Sequence, residues 1–222
     1  MAAETLTLLG ERVHPRGSGA LWLCGSRTLV VSDLHLGKAE RHARRSGGFW
    51  PPYENAETLN RLESEIAALD PACIVTLGDS FDDSACIEGL DAETRQRIGA
   101  MVSARRWIWV TGNHDPAPPA LGGESADAVT FGPLTLRHIA LAGARGEISG
   151  HYHPKASFRI RGRRIARKCF LASASRIILP AFGAFTGGLD VFAEAFVPLL
   201  DRDACAILTG ARPVSVPLAQ LR

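Results

Sequence analysis

The sequence predicts an α/β fold whose first half is a largely parallel sheet and whose second half is a further sheet, mostly antiparallel or mixed, packed on the first. Three observations carry this reading. Three short apolar runs each end in a block of Asp, Asn, His or Gly, amphipathic stretches of helical period separate those runs, and from residue 134 onward strand-like runs follow one another without convincing helices.

Residues 28–32 form a β-branched and apolar run that ends in Asp33. Residues 73–77 end in Gly78-Asp79, and residues 107–111 end in Gly112-Asn113-His114. Unbroken apolar runs of this length suit strands buried on both faces. Between the first two runs, Leu59, Leu62, Ile66 and Leu69 recur every three or four residues, which predicts a helix over 54–69. Between the second and third, a helix over 91–104 is expected, with Asp91 as N-cap and Ile98, Met101 and Val102 facing inward. Strands alternating with helices give parallel βαβ units, and such sheets bind ligands at the carboxyl ends of their strands. All three polar blocks lie at that edge. Strands are then expected over 134–138, 146–149, a basic hairpin around Gly162, 168–174, 191–197 and 204–208.

With 222 residues, 46% of them hydrophobic and 22% charged, the chain suits one globular domain over 1–222, without linker or repeat. A formal charge of +2 is too small to argue for nucleic-acid binding from bulk charge. The five cysteines are unpaired in spacing and fit buried thiols in a reducing compartment. No apolar run approaches the length of a membrane span, and residues 1–10 lack a basic and apolar leader, so a cytoplasmic protein is expected.

Five of the seven histidines belong to one ordered series: Asp33-x-His35, Gly78-Asp79, Gly112-Asn113-His114-Asp115, His138, and Gly150-His151-x-His153. Taken together these residue types can hold two divalent cations, which about 3.5 to 4 Å apart can clamp the attacking and leaving oxygens of a phosphate ester. If the strand persists past residue 32, Asp33 and His35 point the same way and share one ion, and the same spacing lets His151 and His153 share one. Asp79 can give one oxygen to each ion, and Asn113 adds a neutral carbonyl. The donors include no thiolate, which favours Mn2+, Fe or Zn2+ over soft metals. His114 is the expected acid for the leaving oxygen or a charge stabiliser, and Asp115 the group that fixes its tautomer. His14 and His42 fall outside the series. Trp107 and Trp109 are expected in the core, and Phe49, Trp50 and Tyr53 as loop anchors rather than base-stacking groups.

These blocks resemble the calcineurin-like metallophosphoesterase superfamily, with D-x-H, G-D-x-x-D, G-N-H-D, H and G-H-x-H in order over about residues 28–154. The resemblance implies an α-β-β-α sandwich, two mixed sheets flanked by helices. It implies one metal on Asp33, His35, Asp79 and His153, a second on Asp79, Asn113, His138 and His151, and His114 as the catalytic histidine.

A narrower resemblance rests on Ser32-Asp33-Leu34-His35-Leu36-Gly37-Lys38, Pro51-Pro52-Tyr53, Gly78-Asp79-Ser80-Phe81 and the run from Leu179 to Leu189, LPAFGAFTGGL. These are similar to the ligase-associated DNA-damage-response endonucleases, bacterial metallophosphoesterases encoded beside an ATP-dependent DNA ligase and a helicase. That implies a Mn2+-dependent phosphodiesterase acting on DNA, with single strands favoured, in repair. One departure is Asp82, where that family often has His, although Asp82 satisfies the broader G-D-x-x-D pattern.

A basic stretch follows His153: Arg159, Arg161, Arg163, Arg164, Arg167 and Lys168 put six cations into ten residues. Alternation across a hairpin would set several on one face, where they could hold phosphates, though a solvated hairpin surface has the same composition. Two other readings are a small-molecule phosphodiesterase for cyclic nucleotides or nucleotide-linked lipids, and a non-catalytic scaffold. The filled ligand positions and His114 argue against the scaffold.

Overall fold

A computed structural model describes residues 5–39, 41–42, 53–83, 85–116, 120–160 and 162–221. Two sheets face each other. The first has the spatial order β1 (Leu6–Leu8), β2 (Glu11–Pro15), β3 (Leu21–Leu23), β4 (Thr28–Val31), β5 (Cys73–Leu77), β6 (Arg106–Val110), β7 (Glu124–Ala126). From β4 to β7 the pairing is parallel, as the alternation of strands and helices requires, whereas β1 to β4 pair antiparallel, so this sheet is mixed. The second sheet is built from β8 (Ala128–Phe131), β9 (Leu134–Arg137), β10 (Glu147–Ser149), β12 (Arg163–Ala172), β13 (Arg176–Ile178), β14 (Cys205–Leu208) and β15 (Val214–Pro217). Its β9, β10 and β13 are parallel neighbours, and β11 (Lys155–Ile160) pairs with β12 as the basic hairpin, turning at Gly162 with φ of +79°.

Three apolar layers hold these elements. Val30, Val75, Leu77, Ile108 and Val110 of the first sheet meet Leu134, Leu136, Ile148, Phe170 and Ile207 of the second in the central layer. The other face of the first sheet, with Leu29, Ile74, Trp107 and Trp109, is covered by Leu59, Leu62 and Ile66 of α1 (Tyr53–Leu69) and by Ile98, Met101 and Val102 of α3 (Ala92–Ser103). α3 begins as its sequence predicts: the Asp91 side chain accepts from the Thr94 amide at 2.8 Å. A single turn, α2 (Cys86–Gly89), precedes it. Cys169, Leu171, Ile178 and Ala206 line the outer face of the second sheet and pack against Val191, Phe196 and Leu199.

The strand expected over 191–197 is not formed. That segment carries a 3-10 turn, Glu194–Phe196, which lies across the second sheet as a cover and gives it a thin outer layer. The result is the α-β-β-α arrangement with its second helical layer reduced. Trp107 and Trp109 are core residues, 2% and 3% exposed, but Tyr53 is 72% exposed and so is not the buried anchor expected; Phe49 and Trp50 lie outside the described residues. No helix among the described residues is long and apolar enough to cross a membrane.

Candidate metal centre

Asp33, Gly78-Asp79 and Gly112 follow the carboxyl ends of the parallel strands β4, β5 and β6, and His138 and Gly150-His151 follow β9 and β10 of the other sheet. The site therefore sits where the ends of both sheets meet. Regular strand geometry stops before it. Eight non-glycine residues among those described have positive φ, and five of them are Asp33 (+53°), His35 (+45°), Asp79 (+47°), His151 (+70°) and His153 (+47°). Each such conformation costs of order 1–3 kcal/mol, so the surrounding bonds must over-determine it. They do: the amides of Asp33, His35 and Leu36 donate to the carbonyls of Gly78, Asp79 and Ser80 at 3.2, 3.0 and 2.9 Å, which locks the two post-strand segments side by side.

Among the described residues three groups of donor atoms result, one of them His35, Asp82 and His114, and the other two are built from the predicted series. Asp33, His35 and His153 form one, with His153 Nε2 3.1 Å from Asp33 Oδ1 and 3.4 Å from His35 Nε2. Asp79, His138 and His151 form the other; His138 Nε2 lies 3.3 Å from Asp79 Oδ2, 3.2 Å from His151 Nδ1 and 3.0 Å from Asn113 Oδ1. His151 and His153 thus go to different groups, contrary to the strand spacing but in line with the resemblance. Left-handed backbone at both residues breaks the period of two on which the spacing argument relied.

The donor set fits cations. Asp33 is fully buried and its Oδ1, 3.1 Å from His153 Nε2, is left without a hydrogen-bond donor. Ser32 Oγ and the His151 amide, at 3.0 Å, occupy its Oδ2. His138 Nδ1 faces the Leu77 carbonyl at 2.8 Å, an acceptor only, so it carries a proton. Burial disfavours a second one, but Asp79 and Asp33 raise the ring and favour the charged form, which donates from Nε2 to Asp79. The neutral ring instead turns the Nε2 lone pair toward two oxygens and another nitrogen. A proton between these atoms satisfies one pair at a time, whereas a divalent ion accepts from all of them. Burial pushes the Asp79 carboxyl up, but the hydrogen bond and charge of His138 and the His114 amide overcome it and leave it at about 2. Asp33 is also held below the usual carboxylate range, its burial outweighed chiefly by His153. Burial and the His138 charge push His151 down, which keeps a lone pair available.

His35 is aimed in the same way as His138, its Nδ1 3.0 Å from the Asp82 carboxylate. Asp82 in turn takes Arg41 Nη1 at 2.8 Å. No role at the site was expected for this residue, although the second Asp of G-D-x-x-D was the signal for it. His114 donates its amide to Asp79 Oδ1 at 2.8 Å, and its Nδ1 faces the Asp82 carbonyl at 2.9 Å, which leaves Nε2 as the free ring atom. Asp115 does not orient His114. Its buried carboxylate accepts the amides of Asp79, Ser80 and Phe81 at 2.9, 2.7 and 3.1 Å, so it shapes the turn that carries Asp79. Burial, joined by the charge of Asp79, pushes it up to about 6 despite those amides.

Glycine is required at the turns for close approach. A side chain at Gly150 would overlap Ser32 Oγ and stand 2.7 Å from Asp33 Oδ2, and one at Gly78 would stand 2.5 Å from the His138 ring. Of the basic hairpin, Arg163 is exposed; Arg161 and the side chains of Arg159 and Arg164 lie outside the described residues.

Residues 26–170 match the calcineurin-like phosphoesterase family, which is well over half of the chain. The chain belongs to that family, and it is a metal-dependent phosphoesterase that uses divalent cations. Among solved structures, the fold is shared with the Pseudomonas putida nuclease MPE: TM-score 0.75, 24% identity, covering 96% of this chain and 100% of that one. No curated protein matches the sequence.

Proposed function

We propose that the chain is a two-metal phosphodiesterase that cuts DNA, single strands in preference, in repair. The observation that carries this is the pair of adjoining donor groups, Asp33/His35/His153 and Asp79/His138/His151, at the common end of two facing sheets. Asp33, His35 and His153 would hold one ion and Asn113, His138 and His151 the other, with Asp79 placed to serve both. Imidazole and oxygen donors without thiolate suit Mn2+, Fe or Zn2+, and the resemblance to the ligase-associated endonucleases favours Mn2+. The nuclease MPE, similar in fold along nearly the whole chain, supports nucleic acid as the substrate, and the basic run of the sequence with Arg159, Arg161, Arg163 and Arg164 is the proposed source of phosphate contacts. The same reading takes residues 1–222 as one domain in the cytoplasm, where reduced cysteines persist, and working with a DNA ligase and a helicase.

When bound, the two cations supply Lewis-acid polarisation of the phosphate and acidification of the attacking water. The protein's own groups do the rest. His114, its Nδ1 proton committed to the Asp82 carbonyl, presents Nε2 to the leaving oxygen and, when protonated there, donates to it. Buried Asp33 and Asp79 stay ionised at neutral pH and hold the binding charge in place.

The test is Mn2+-dependent cleavage of labelled single-stranded and duplex DNA beside a chromogenic aryl diester, comparing wild type with His114→Ala and Asp79→Ala. Cleavage of single strands and of the diester is expected, lost or redirected in His114→Ala and abolished in Asp79→Ala. Diester hydrolysis with DNA untouched replaces the nuclease by a small-molecule phosphodiesterase. Wild-type rates in Asp79→Ala overturn the two-metal mechanism.

A further inference from the structure

The loop over 181–186 is held by cations along its backbone. Lys168 Nζ donates to the Ala181 and Gly183 carbonyls and to Thr186 Oγ1 at 2.9, 2.5 and 2.8 Å. Arg61 Nη2 donates to the Phe182 carbonyl at 2.7 Å with its guanidinium 4.8 Å above the Phe182 ring. Lys38 reaches the Phe185 carbonyl at 2.9 Å and Lys155 the Thr186 carbonyl at 3.4 Å. The loop amides point the other way, into the metal centre's scaffold: Phe182 and Gly183 donate to the carbonyls of Ser32 and Asp33 at 2.7 and 3.1 Å, and Ala184 to Thr58 Oγ1 at 3.0 Å. Side chains at Gly183 and Gly188 would overlap the carbonyls of Leu34 and His153, so the loop lies directly on two of the segments that carry the proposed ligands.

At the tip of this fixed loop Phe185 is 60% exposed. Its carbonyl is tied down by Lys38, and the ring is left largely in water at a cost in apolar exposure that the fold does not relieve. One residue, Ala184, separates it from Gly183, a span of at most about 7 Å, and the Gly183 amide lies 3.1 Å from the Asp33 carbonyl, so the Phe185 backbone stands within about three stacked nucleotide steps of the Asp33 backbone. An exposed aromatic ring among lysines, rigidly set beside a phosphate-processing centre, is the combination that binds single strands: stacking on the base and charge for the backbone.

We propose that Phe185 is a stacking platform for a nucleobase adjacent to the scissile phosphate, and that the Lys168, Arg61, Lys38 and Lys155 bonds exist to hold it still. This rests on the DNA-cleaving reading above. Stacking on a single ring at the usual strength corresponds to about a 5- to 150-fold effect on substrate binding.

The experiment measures kcat and KM of wild type, Phe185→Ala, Phe185→Leu and Phe185→Trp with Mn2+ on a labelled single-stranded oligonucleotide and on an abasic deoxyribose-phosphate oligomer of equal length. The expected result is a KM on the oligonucleotide raised about 5- to 150-fold in Phe185→Ala and Phe185→Leu, restored in Phe185→Trp, and no difference among the four on the abasic oligomer. Equal KM values for all four on the oligonucleotide overturn the proposal. So does full retention in Phe185→Leu, which marks an apolar contact without stacking. Wild type that cuts the aryl diester but no oligonucleotide overturns the nuclease reading itself, and this inference with it.

Discussion

The carboxylate of Asp82 fixes the ring of His35: Oδ1 lies 3.0 Å from Nδ1, while Oδ2 takes the Arg41 guanidinium at 2.8 Å. A carboxylate behind a metal-binding imidazole sets its tautomer and raises its basicity, and removal of such partners typically costs 10- to 100-fold in metal affinity or activity. Asp82→Ala is therefore expected to weaken Mn2+ binding by about 10- to 100-fold, read by calorimetric titration of metal-free protein. Asp82→Asn, which keeps an acceptor for Nδ1, is expected to lose less. Unchanged affinity in both would show that His35 is oriented by something else.

Asp115 is expected to behave as a structural residue. Asp115→Ala leaves the amides of Asp79, Ser80 and Phe81 buried without an acceptor, and each orphaned donor costs about 1–3 kcal/mol. A loss of roughly 3 kcal/mol or more lowers the melting temperature by about 6 °C or more in a protein of this size. His114→Ala, at a half-buried position with no comparable set of amides behind it, is expected to melt close to wild type while losing activity. Calorimetric melting of both variants separates the two roles, and equal melting temperatures for Asp115→Ala and wild type would contradict the assignment.

Gly150 tests how tightly the metal centre is packed. A methyl group there meets Ser32 Oγ and Asp33 Oδ2, the same oxygen that receives the His151 amide. Overpacking of this kind costs about 1–3 kcal/mol, and here the displaced atoms are the site itself. Gly150→Ala is expected to lose metal affinity and diesterase activity together. Gly99→Ala, in α3 with open space around it, is the control and should leave activity intact and add up to about 1 kcal/mol of stability. Wild-type metal binding in Gly150→Ala would mean that the loop relaxes without cost.

The sequence makes some of this legible and hides the rest for physical reasons. α1 and α3 are readable because helical period persists for several turns, and the parallel strands because each apolar run stops at a polar block. The β1–β2 hairpin is not, since its strands are three and five residues long and its turn uses Leu9 and Gly10, both with positive φ, in place of a recognisable Asn-Gly pair. Residues 191–197 have the apolar content of a strand but serve as a lid on the second sheet, a difference that depends on tertiary contacts alone. At the candidate metal centre the proposed ligand types are visible in order, while the parting of His151 from His153 depends on left-handed backbone that spacing cannot reveal.

Lys168 links the loop over 181–186 to pH. Burial, helped by the charges of Arg61 and Lys155, brings its ammonium down from 10.5 to about 7. The folded protein therefore releases this proton near pH 7, whereas the unfolded chain keeps it until about 10.5. Between those values the unfolded state binds more protons, and stability rises with pH wherever that holds. In Lys168→Met this contribution is absent. The unfolding free energy of wild type relative to Lys168→Met, from urea titrations of metal-free protein at pH 6.5, 8 and 9.5, is expected to grow across the series. The loop itself follows the opposite course. Deprotonation leaves two N–H groups for three acceptors, Ala181 O, Gly183 O and Thr186 Oγ1, so the grip on the loop slackens as pH passes about 7. Amide hydrogen exchange over 181–186 is expected, after correction for its intrinsic pH dependence, to lose protection from pH 6.5 to 8 in wild type and to show no such step in Lys168→Met. A stability difference that is flat with pH, together with protection that does not change, would show that Lys168 keeps its proton throughout.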